Sequence, residues 1–418
     1  MSHKEHIDID YLARVEGETA IRIELKKGAP IELKIFEPPR FFEGMMVGRK
    51  YDEVGDIVSR ICGICPVSHM TTAILAIEKA MGIRVSPQTK LMRNVMTLSQ
   101  IVASHLIHLY MLAMPDYYGC SGVVDMLPQF KGEIDRLLKM KEVMNGLTAL
   151  IGGRALHPVT HMPGGFTSMP DDVDCRAAIE KLKDILPDAE RVIEVVAQFQ
   201  VPDFHPRSEC VALWKKGEYV FNEGRIMSTE GLDIPVEEYA RHFKESQVPY
   251  AMAKQSVIRR RGSFMVGALA RMHLKFDELQ DGTKALAGKV GFSTPCDNPY
   301  YNNLAQALEV YDGILNCIQL LESHTVKDEK RQVKVKSGEG GAVTEAPRGL
   351  LYHWYRIDEK GVVEKANLVT PTSHNFLNIE KDLKQLVDEN RQKNRDELRL
   401  LCEELVRAYD PCFSCSVH

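Results

Sequence analysis

Asp410-Pro411-Cys412-Phe413-Ser414-Cys415 stands near the end of a chain of 418 residues, and a similar stretch, Arg60-Ile61-Cys62-Gly63-Ile64-Cys65, stands near its start. Each is a Cys-x-x-Cys turn that points two thiols at one spot, so the two turns together make a four-thiolate site for a soft metal. Zinc ribbons separate their two pairs by about 15–20 residues, whereas here nearly the whole chain lies between them. The fold must therefore bring both ends to its centre, which favours catalysis over a purely structural clip.

The composition is that of an ordinary globular protein, with 44% hydrophobic residues, 27% charged residues and a net charge of −5. A nucleic-acid-binding protein usually has a basic excess, so we predict no nucleic-acid partner. Ten cysteines in such a length are too few for a disulfide framework. The polar start shows no signal peptide, and the most apolar window, 95–114, contains Ser, Gln and His. We therefore predict a buried helix, no membrane span and a cytoplasmic location.

Hydrophobic periodicity predicts one domain over residues 1–418, mainly α with smaller β parts (α+β), in which a central bundle of long helices encloses the metal site. Two-residue alternation indicates strands, and longer apolar periods indicate helices. The predicted strands cover 20–25, 31–36, 333–335 and 350–354. The predicted helices cover 71–81, starting directly after the first cysteine pair, 87–114, 173–199, 304–323 and 380–409.

The residues that flank the cysteines bear on what the four thiolates do. By spacing alone, a structural zinc or iron–sulfur site remains open, and the thioredoxin-like βαβ context of a redox dithiol is not seen. Arg60 and Asp410 each lie two residues before a cysteine pair. A cation near thiolates lowers their pKa and keeps them deprotonated for metal. A purely structural site would not need such neighbours.

Together these motifs resemble the large, catalytic subunit of [NiFe] hydrogenases. The two cysteine motifs are the most specific, Arg-x-Cys-x-x-Cys and Asp-Pro-Cys-x-x-Cys-x-x-His, and further motifs extend the resemblance over residues 8–418. These further motifs are Ala13-Arg14-Val15-Glu16-Gly17, Arg40-Phe41-Phe42-Glu43, Ala346-Pro347-Arg348-Gly349 and Val369-Thr370-Pro371-Thr372.

The resemblance implies a Ni–Fe centre on the four cysteines. Cys62 and Cys412 would bind nickel terminally, and Cys65 and Cys415 would bridge nickel and iron. Iron would also carry one CO and two cyanides. A cyanide nitrogen is a hydrogen-bond acceptor, and leaving it unsatisfied in a dry pocket would cost on the order of 1–3 kcal/mol.

The loops that match the family motifs would surround these diatomic ligands. Arg348 and Thr372 would be hydrogen-bond donors to cyanide, with Pro371 in the same loop. His69, four residues after Cys65, matches a family histidine that hydrogen-bonds a bridging sulfur. For this histidine a role as a core residue bonded to backbone is equally well supported by the sequence.

Heterolytic cleavage of H2 also requires a base near the metals. The resemblance assigns Cys412 as the first proton acceptor and Glu16 as the second, where the exit path starts. Asp116 and Asp410 resemble carboxylates that hold Arg348 over the open metal position.

The last residue matches a family histidine that binds buried Mg²⁺. His418 would share this ion with Glu43 and the backbone carbonyl of Leu368, and a largely hydrated shell suits a small hard cation. The family precursor is clipped after this histidine, so an end at His418 is what the resemblance implies for a matured subunit. His105 and His108 share one helix face, for which family position implies packing and hydrogen bonding rather than a metal.

Electrons must leave through another subunit, because the chain has no further iron–sulfur motif and no Gly-x-Gly-x-x-Gly after a strand. The resemblance implies an iron–sulfur small subunit, with flavin and NAD(P)-binding diaphorase-type subunits beyond it. The motifs look most like cytosolic bidirectional NAD(P)-linked hydrogenases and sulfhydrogenase α subunits. Glu18 stands where many uptake-type members carry histidine, which disfavours a membrane-bound uptake role.

Three alternatives accompany this interpretation. The subunit could instead feed an electron-bifurcating or heterodisulfide-reductase complex. A complex I-type relative that has lost its nickel ligands is disfavoured because all four cysteines are present. A zinc-stabilised scaffold protein is the remaining alternative, and zinc without nickel or iron would identify it.

Overall fold

Long helices make up most of the computed structural model, which describes residues 6–26 and 28–418. Shorter strands form five small antiparallel sheets within these residues. The mainly α fold with smaller β parts is therefore confirmed. The helices are Phe42–Met46, Val54–Ser59, Pro66–Met81, Pro87–Ile107, Met114–Tyr117, Val123–Gly152, Asp172–Val196, Tyr239–His242, Ala268–Lys275, Asp281–Lys289, Asn302–Glu322, Pro371–Glu389, Arg395–Ala408 and Phe413–Ser416, with a π-helical segment at His108–Ala113.

Four long helices pack together as the bundle, because each presents an apolar face to the same core. They are Pro87–Ile107, Val123–Gly152, Asp172–Val196 and Asn302–Glu322. Caps define where they start: Ser86 accepts a hydrogen bond from the backbone N–H of Thr89. The helix Val123–Gly152 was not predicted, because Pro128 and the non-helical Phe130 interrupt its pattern.

The helix Pro87–Ile107 continues through the π-helical segment into Met114–Tyr117. This continuous stretch is long and apolar enough to cross a membrane by length and composition, but 83% of its most apolar window is buried inside the structure. It therefore packs as the core helix that the sequence predicted. The π-helical segment changes the register of the side chains that follow it, and Asp116 lies just beyond.

The largest sheet consists of the strands Gly338–Ala346, Gly349–Ile357 and Val363–Val369. Its first strand lies directly on the helix Pro66–Met81, since a Cβ on Gly340 would be 2.4 Å from the backbone N of Ala80. The predicted strand at 350–354 is confirmed within the second strand. The prediction of a strand at 333–335 is wrong, because pairing begins only at Gly338, where glycine allows the close approach.

The N-terminal strands match the sequence prediction, whereas the helices near the C-terminus differ from it. The strands Thr19–Glu24 and Ile31–Ile35 confirm the alternating pattern, and a third strand, His6–Ile9, pairs with the first of them. The predicted single helix 380–409 is wrong: two helices, Pro371–Glu389 and Arg395–Ala408, replace it. Asn394 caps the second helix in a capping box with Glu397, which starts a new helix there.

The remaining described strands form three small sheets. The first two are Val211–Trp214 with Arg225–Ser228 and Asp233–Pro235, and Phe243–Gln247 with Lys254–Ile258. The third is the two-residue pair of His161–Met162 with Gly165–Phe166.

Candidate metal centre

The first cysteine pair forms a tight turn at the start of a helix. Cys65 is the residue before the helix Pro66–Met81, which begins with a proline whose missing N–H is not needed there. The backbone N–H groups of Ile64 and Cys65 lie 3.3 and 3.2 Å from Sγ of Cys62. Such donors favour a thiolate at Cys62, which is the form that binds metal.

The second pair is held by three distant parts of the chain. The backbone N–H of Cys412 donates to Oγ1 of Thr372 at 2.8 Å, and that of Phe413 donates to the carbonyl of Glu16 at 2.7 Å. Arg40 donates to the carbonyl of Ser414. The C-terminal segment thus lies between the N-terminal region and the helix Pro371–Glu389.

The four thiols of the two pairs face one another in the interior. Sγ of Cys62 lies 3.8 Å from that of Cys412, Sγ of Cys65 lies 3.7 Å from that of Cys415, and the Sγ atoms of Cys412 and Cys415 are 2.7 Å apart. All four are buried and none forms a disulfide. The ends of the chain therefore meet at its centre, as the separation of the motifs predicted.

The electrostatics of this cluster suit a soft cation. Hydrogen bonding from Cys412 lowers the pKa of the Cys62 thiol well below its ordinary value, whereas burial raises the pKa of Cys412 and Cys415 well above it. One thiolate thus opposes ionisation of the others, so all four ionise together only when metal ions neutralise them. The donor set fits a thiolate-bound nickel and iron.

A small cavity of about 10 Å³ adjoins the sulfurs, and the two predicted loops form its wall through Arg348, Pro371 and Thr372. Nε and Nη2 of Arg348 contact Oδ1 of Asp410 at 3.0 and 2.9 Å, while its buried Nη1 has no hydrogen-bond partner among the described residues. The hydroxyl of Thr372 accepts from Cys412 N and keeps its own proton available. These free donors fit the cyanides that the resemblance implies.

Arg348 keeps its charge in this position. Burial alone would lower the pKa of its guanidinium, but the carboxylate of Asp410 and the neighbouring thiolates outweigh that effect and raise the pKa well above its ordinary value. Arg348 is therefore a fixed cation and a hydrogen-bond donor, not a base.

Asp116 lies elsewhere than the sequence predicted. Its carboxylate accepts from Arg407 at 2.6 and 2.9 Å and from Arg14, whereas the partner of Arg348 is Asp410. The buried guanidinium of Arg407 requires a counter-charge, and Asp116 supplies it. The prediction that Asp116 holds Arg348 is therefore corrected, and that for Asp410 agrees with the contacts.

Glu16 lies beside the second cysteine pair through its backbone bond to Phe413, and it also forms an isolated parallel bridge with Cys412. Its carboxylate forms no hydrogen bond among the described residues. Burial, followed by the charge of Cys62, raises the pKa of Glu16 above its ordinary value, and Arg348 opposes that rise. A half-buried carboxyl with a raised pKa can accept and release a proton.

The three predicted magnesium ligands converge at the C-terminus. Nε2 of His418 lies 2.9 Å from the carbonyl of Leu368 and 4.0 Å from Oε1 of Glu43. Nδ1 of His418 lies 2.9 Å from the carbonyl of Cys415, which fixes the ring. The side chain of His418 is only 6% exposed. A carboxylate, a carbonyl and an imidazole at one point fit a divalent cation.

His69 is fully buried beside Cys65 and Cys415, and one of its ring nitrogens lies within 4.8 Å of Sγ of both. Its Nδ1 lies 3.3 Å from Nε2 of His353. These contacts do not support the alternative role of His69 as a core histidine whose ring bonds to backbone, because the ring contacts His353 and lies near the two cysteines.

Sequence reasoning missed a second group of buried residues behind Asp410. Nε2 of Gln306 donates to Oδ2 of Asp410 at 2.9 Å, and Oε1 of Gln306 lies 2.5 Å from Nδ1 of His108. His108, as expected, makes hydrogen bonds and does not join the thiol cluster. Nothing in the local sequence marks Gln306, because its helix, Asn302–Glu322, meets the segment that contains Asp410 only in the packed fold.

The fold brings both ends of one chain to a buried cluster of four thiols, a donor set that is suited to a thiolate-bound metal centre. The nickel-dependent hydrogenase family matches residues 40–131 and 300–418. The alpha chain of sulfhydrogenase 1 from Pyrococcus furiosus is 34% identical, over 99% of this chain and 97% of that protein. A relative from Methanocaldococcus jannaschii, an F420-non-reducing hydrogenase subunit of the vhu type, is 30% identical, over 91% of this chain and 98% of that protein.

Solved structures show the same fold. An NAD⁺-reducing [NiFe]-hydrogenase in the H2-reduced state superposes with a TM-score of 0.84 at 23% identity, over 99% of each chain. The [NiFeSe] hydrogenase of Desulfomicrobium baculatum superposes with a TM-score of 0.80 at 20% identity, over 99% of this chain and 100% of that one. This chain belongs to the nickel-dependent hydrogenase family. It is the catalytic large subunit of a [NiFe] hydrogenase, an oxidoreductase that acts on H2.

Proposed function

We propose that Cys62, Cys65, Cys412 and Cys415 hold the Ni–Fe centre. Cys62 and Cys412 would bind nickel alone, and Cys65 and Cys415 would bind both nickel and iron. The four buried thiols that meet from the two ends of the chain carry this proposal. When bound, the centre supplies the redox and Lewis-acid chemistry that acts on H2. We also propose that residues 1–418 act as one domain, because neither end completes this site alone.

The loop donors are assigned to the diatomic ligands of iron. Nη1 of Arg348 and the hydroxyl of Thr372 are the free donors beside the sulfurs, and Pro371 contributes an apolar wall. A charged donor fixed by Asp410 binds an acceptor more strongly than a neutral donor does. This arrangement suits one CO and two cyanides.

The proton is assigned to leave from Cys412 through Glu16. The backbone bond between Glu16 and Phe413 keeps these residues side by side, and the Glu16 carboxylate has no competing partner among the described residues. Its raised pKa brings it closer to that of a thiol, which reduces the cost of the transfer. Asp410 orients Arg348, whose fixed charge moderates the pKa of Glu16.

A magnesium ion is assigned to Glu43, His418 and the carbonyl of Leu368. These groups lie directly behind Cys415, whose carbonyl bonds the same imidazole. The ion would hold the C-terminal segment in the interior, and through it the second cysteine pair.

Electrons are assigned to leave across the turn of the first cysteine pair to an iron–sulfur small subunit, since hydrogenase large subunits pair with small subunits. Gly63 and Arg60 are exposed on this turn and Ile64 is half-buried, so the turn is where the centre comes close to the surface. Iron–sulfur clusters and flavin belong to partner subunits in this proposal.

The acceptor is proposed to be NAD(P), reached through diaphorase-type subunits in the cytoplasm. The superposition on an NAD⁺-reducing hydrogenase and the similarity to a sulfhydrogenase α subunit support this choice. The relatives named F420-non-reducing hydrogenase favour a second candidate, a hydrogenase module that serves a different electron-accepting complex.

One purification tests the centre and the acceptor together. The chain, isolated with its native partners, should contain nickel and iron and show infrared bands of metal-bound CO and cyanide. H2 should then reduce NAD⁺ or NADP⁺ without an added mediator. Zinc without nickel would contradict the Ni–Fe proposal, whereas a mediator-dependent rate with a normal infrared spectrum would contradict only the acceptor.

The docking face is tested by Gly63→Arg. A Cβ at Gly63 meets nothing within 4 Å and its backbone is not left-handed, so the larger side chain fits the free subunit. We expect co-purification with the small subunit to be lost while the melting temperature of the large subunit stays unchanged. Gly288→Arg, on the exposed helix Asp281–Lys289, is the matched control and should co-purify normally. Normal pairing of Gly63→Arg would place the interface elsewhere.

A further inference from the structure

A row of three buried side chains leads away from the bridging cysteines. His69 lies nearest the sulfurs, its Nδ1 is 3.3 Å from Nε2 of His353, and Nδ1 of His353 is 2.9 Å from the hydroxyl of Tyr355. All three side chains are 0% exposed. His353 and Tyr355 come from one strand, Gly349–Ile357, two residues apart and on the same face.

The protons in this row can be assigned from the end that is farthest from the metal. The hydroxyl of Tyr355 has His353 as its only hydrogen-bond partner among the described residues. If Nδ1 of His353 donated to Tyr355, the buried phenol O–H would have no acceptor, which is costly. The hydroxyl therefore donates to Nδ1 of His353.

The remaining protons follow in sequence. A neutral imidazole carries one N–H, so His353 carries it on Nε2 and donates to Nδ1 of His69. His69 then carries its own proton on Nε2. That atom is buried and has no hydrogen-bond partner among the described residues. One ring nitrogen of His69 lies within 4.8 Å of the sulfurs of both Cys65 and Cys415, which can accept a hydrogen bond as thiolates.

Both imidazoles are neutral in this arrangement, because Nδ1 of each ring accepts a hydrogen bond and therefore carries no proton. Burial lowers the pKa of His353 well below its ordinary value. Burial also raises the pKa of Tyr355 well above its ordinary value, so the phenol keeps its proton. Each member of the row therefore has the single donor that the assignment requires.

We propose that Tyr355 and His353 are positioning residues that set the tautomer of His69, so that His69 presents an Nε2–H to the bridging thiolates of Cys65 and Cys415. This proposal rests on the proposed assignment of those cysteines as bridging ligands. With the opposite tautomer, His69 would direct a lone pair at the thiolates, and the repulsion would weaken their hold on the metals.

The direct test is ¹⁵N NMR of the holoenzyme labelled at histidine, in a diamagnetic state, because protonated and bare ring nitrogens have different chemical shifts. His69→Gln identifies the His69 signals by their loss. The expected wild-type result is a protonated Nε2 and a bare Nδ1 on His69. A protonated Nδ1 would overturn the proposal.

Tyr355→Phe removes the terminal donor and keeps the ring. We expect the two His69 nitrogens to shift toward an average of both tautomers, and the H2 oxidation rate to fall about 10-fold. Tyr300→Phe is the control, because Tyr300 is also 0% exposed and its hydroxyl has one hydrogen-bond partner in the described part of the chain, the carbonyl of Leu401. A Tyr355→Phe spectrum identical to wild type would overturn the proposal.

A rescue pair at His353 separates positioning from packing. His353→Gln retains an N–H that can donate to His69, whereas His353→Leu fills similar space with no donor. We expect His353→Gln to keep the wild-type His69 shifts and His353→Leu to lose them, and equal spectra for the two variants would contradict the assignment. A wild-type protein without nickel would contradict the proposed function. The ¹⁵N shifts of His69 would still decide the tautomer, so the two failures can be distinguished.

Discussion

At the scale of single residues, the four cysteines differ in what their loss should do. Because Cys65 and Cys415 are proposed to bind both metals, Cys65→Ser or Cys415→Ser should reduce nickel and iron to background in metal analysis of the purified protein. Cys120→Ser, at a half-buried cysteine outside the cluster, is the control and should retain both metals. Full nickel and H2 uptake in either bridging variant would refute the assignment.

A substitution at Glu16 can separate the shape of the side chain from its ability to transfer a proton. Glu16→Gln keeps the size and a hydrogen-bonding group but cannot take up and release a proton at neutral pH. We expect H2/D2O isotope exchange and turnover to fall by about 10²–10⁴-fold, while the infrared bands of the iron ligands persist.

The control for this variant is Glu18→Gln, at an exposed carboxylate two residues away. It should exchange isotopes at the wild-type rate. If Glu16→Gln also did so, Glu16 would have a structural role and the proton would leave the centre by another route.

At the scale of secondary-structure elements, the contact between the strand Gly338–Ala346 and the helix Pro66–Met81 decides where Cys65 and His69 lie. Gly340→Ala would place a Cβ 2.4 Å from the N of Ala80 and 2.8 Å from the carbonyl of Ala76. Both neighbours are backbone atoms, so the strand must move away from the helix.

We expect Gly340→Ala to lower the free energy of unfolding by about 1–3 kcal/mol and to reduce the nickel content, both measured on purified protein. Gly288→Ala meets no atom within 4 Å and should unfold at or slightly above the wild-type temperature. Wild-type stability and nickel in Gly340→Ala would show that the strand can shift without moving the cysteine helix.

At the scale of the whole molecule, the C-terminal segment lies in the interior, where it contacts the N-terminal region through Glu16 and Arg40. Bound Mg²⁺ should stabilise the folded protein by about 2.7 kcal/mol when its free concentration is 100 times the dissociation constant. We therefore expect removal of Mg²⁺ with a chelator to lower the melting temperature of the wild type to that of His418→Ala.

The control for this experiment is His205→Ala, because His205 is 63% exposed and pairs only with Asp203 among the described residues. It should melt and respond to the chelator as the wild type does. A crystal structure with metal–oxygen distances of about 2.0–2.1 Å at Glu43 would identify the ion as Mg²⁺. A chelator response retained in His418→Ala would refute this magnesium site.

The sequence by itself determined the α+β class, the helix after the first cysteine pair and the four-thiol centre, because periodicity and Cys-x-x-Cys spacing are local properties of the chain. The resemblance of its motifs to the family also implied that Asp116 and Asp410 hold Arg348, and of these two the structure places only Asp410 there. Only the tertiary structure decided the partners of Asp116, Gln306 and His353. Each of them lies on a helix or strand whose local pattern is ordinary, and its partner comes from a segment far away in the chain. Packing and desolvation determine which partner each buried charge or donor has. A one-dimensional sequence pattern carries no information about either effect.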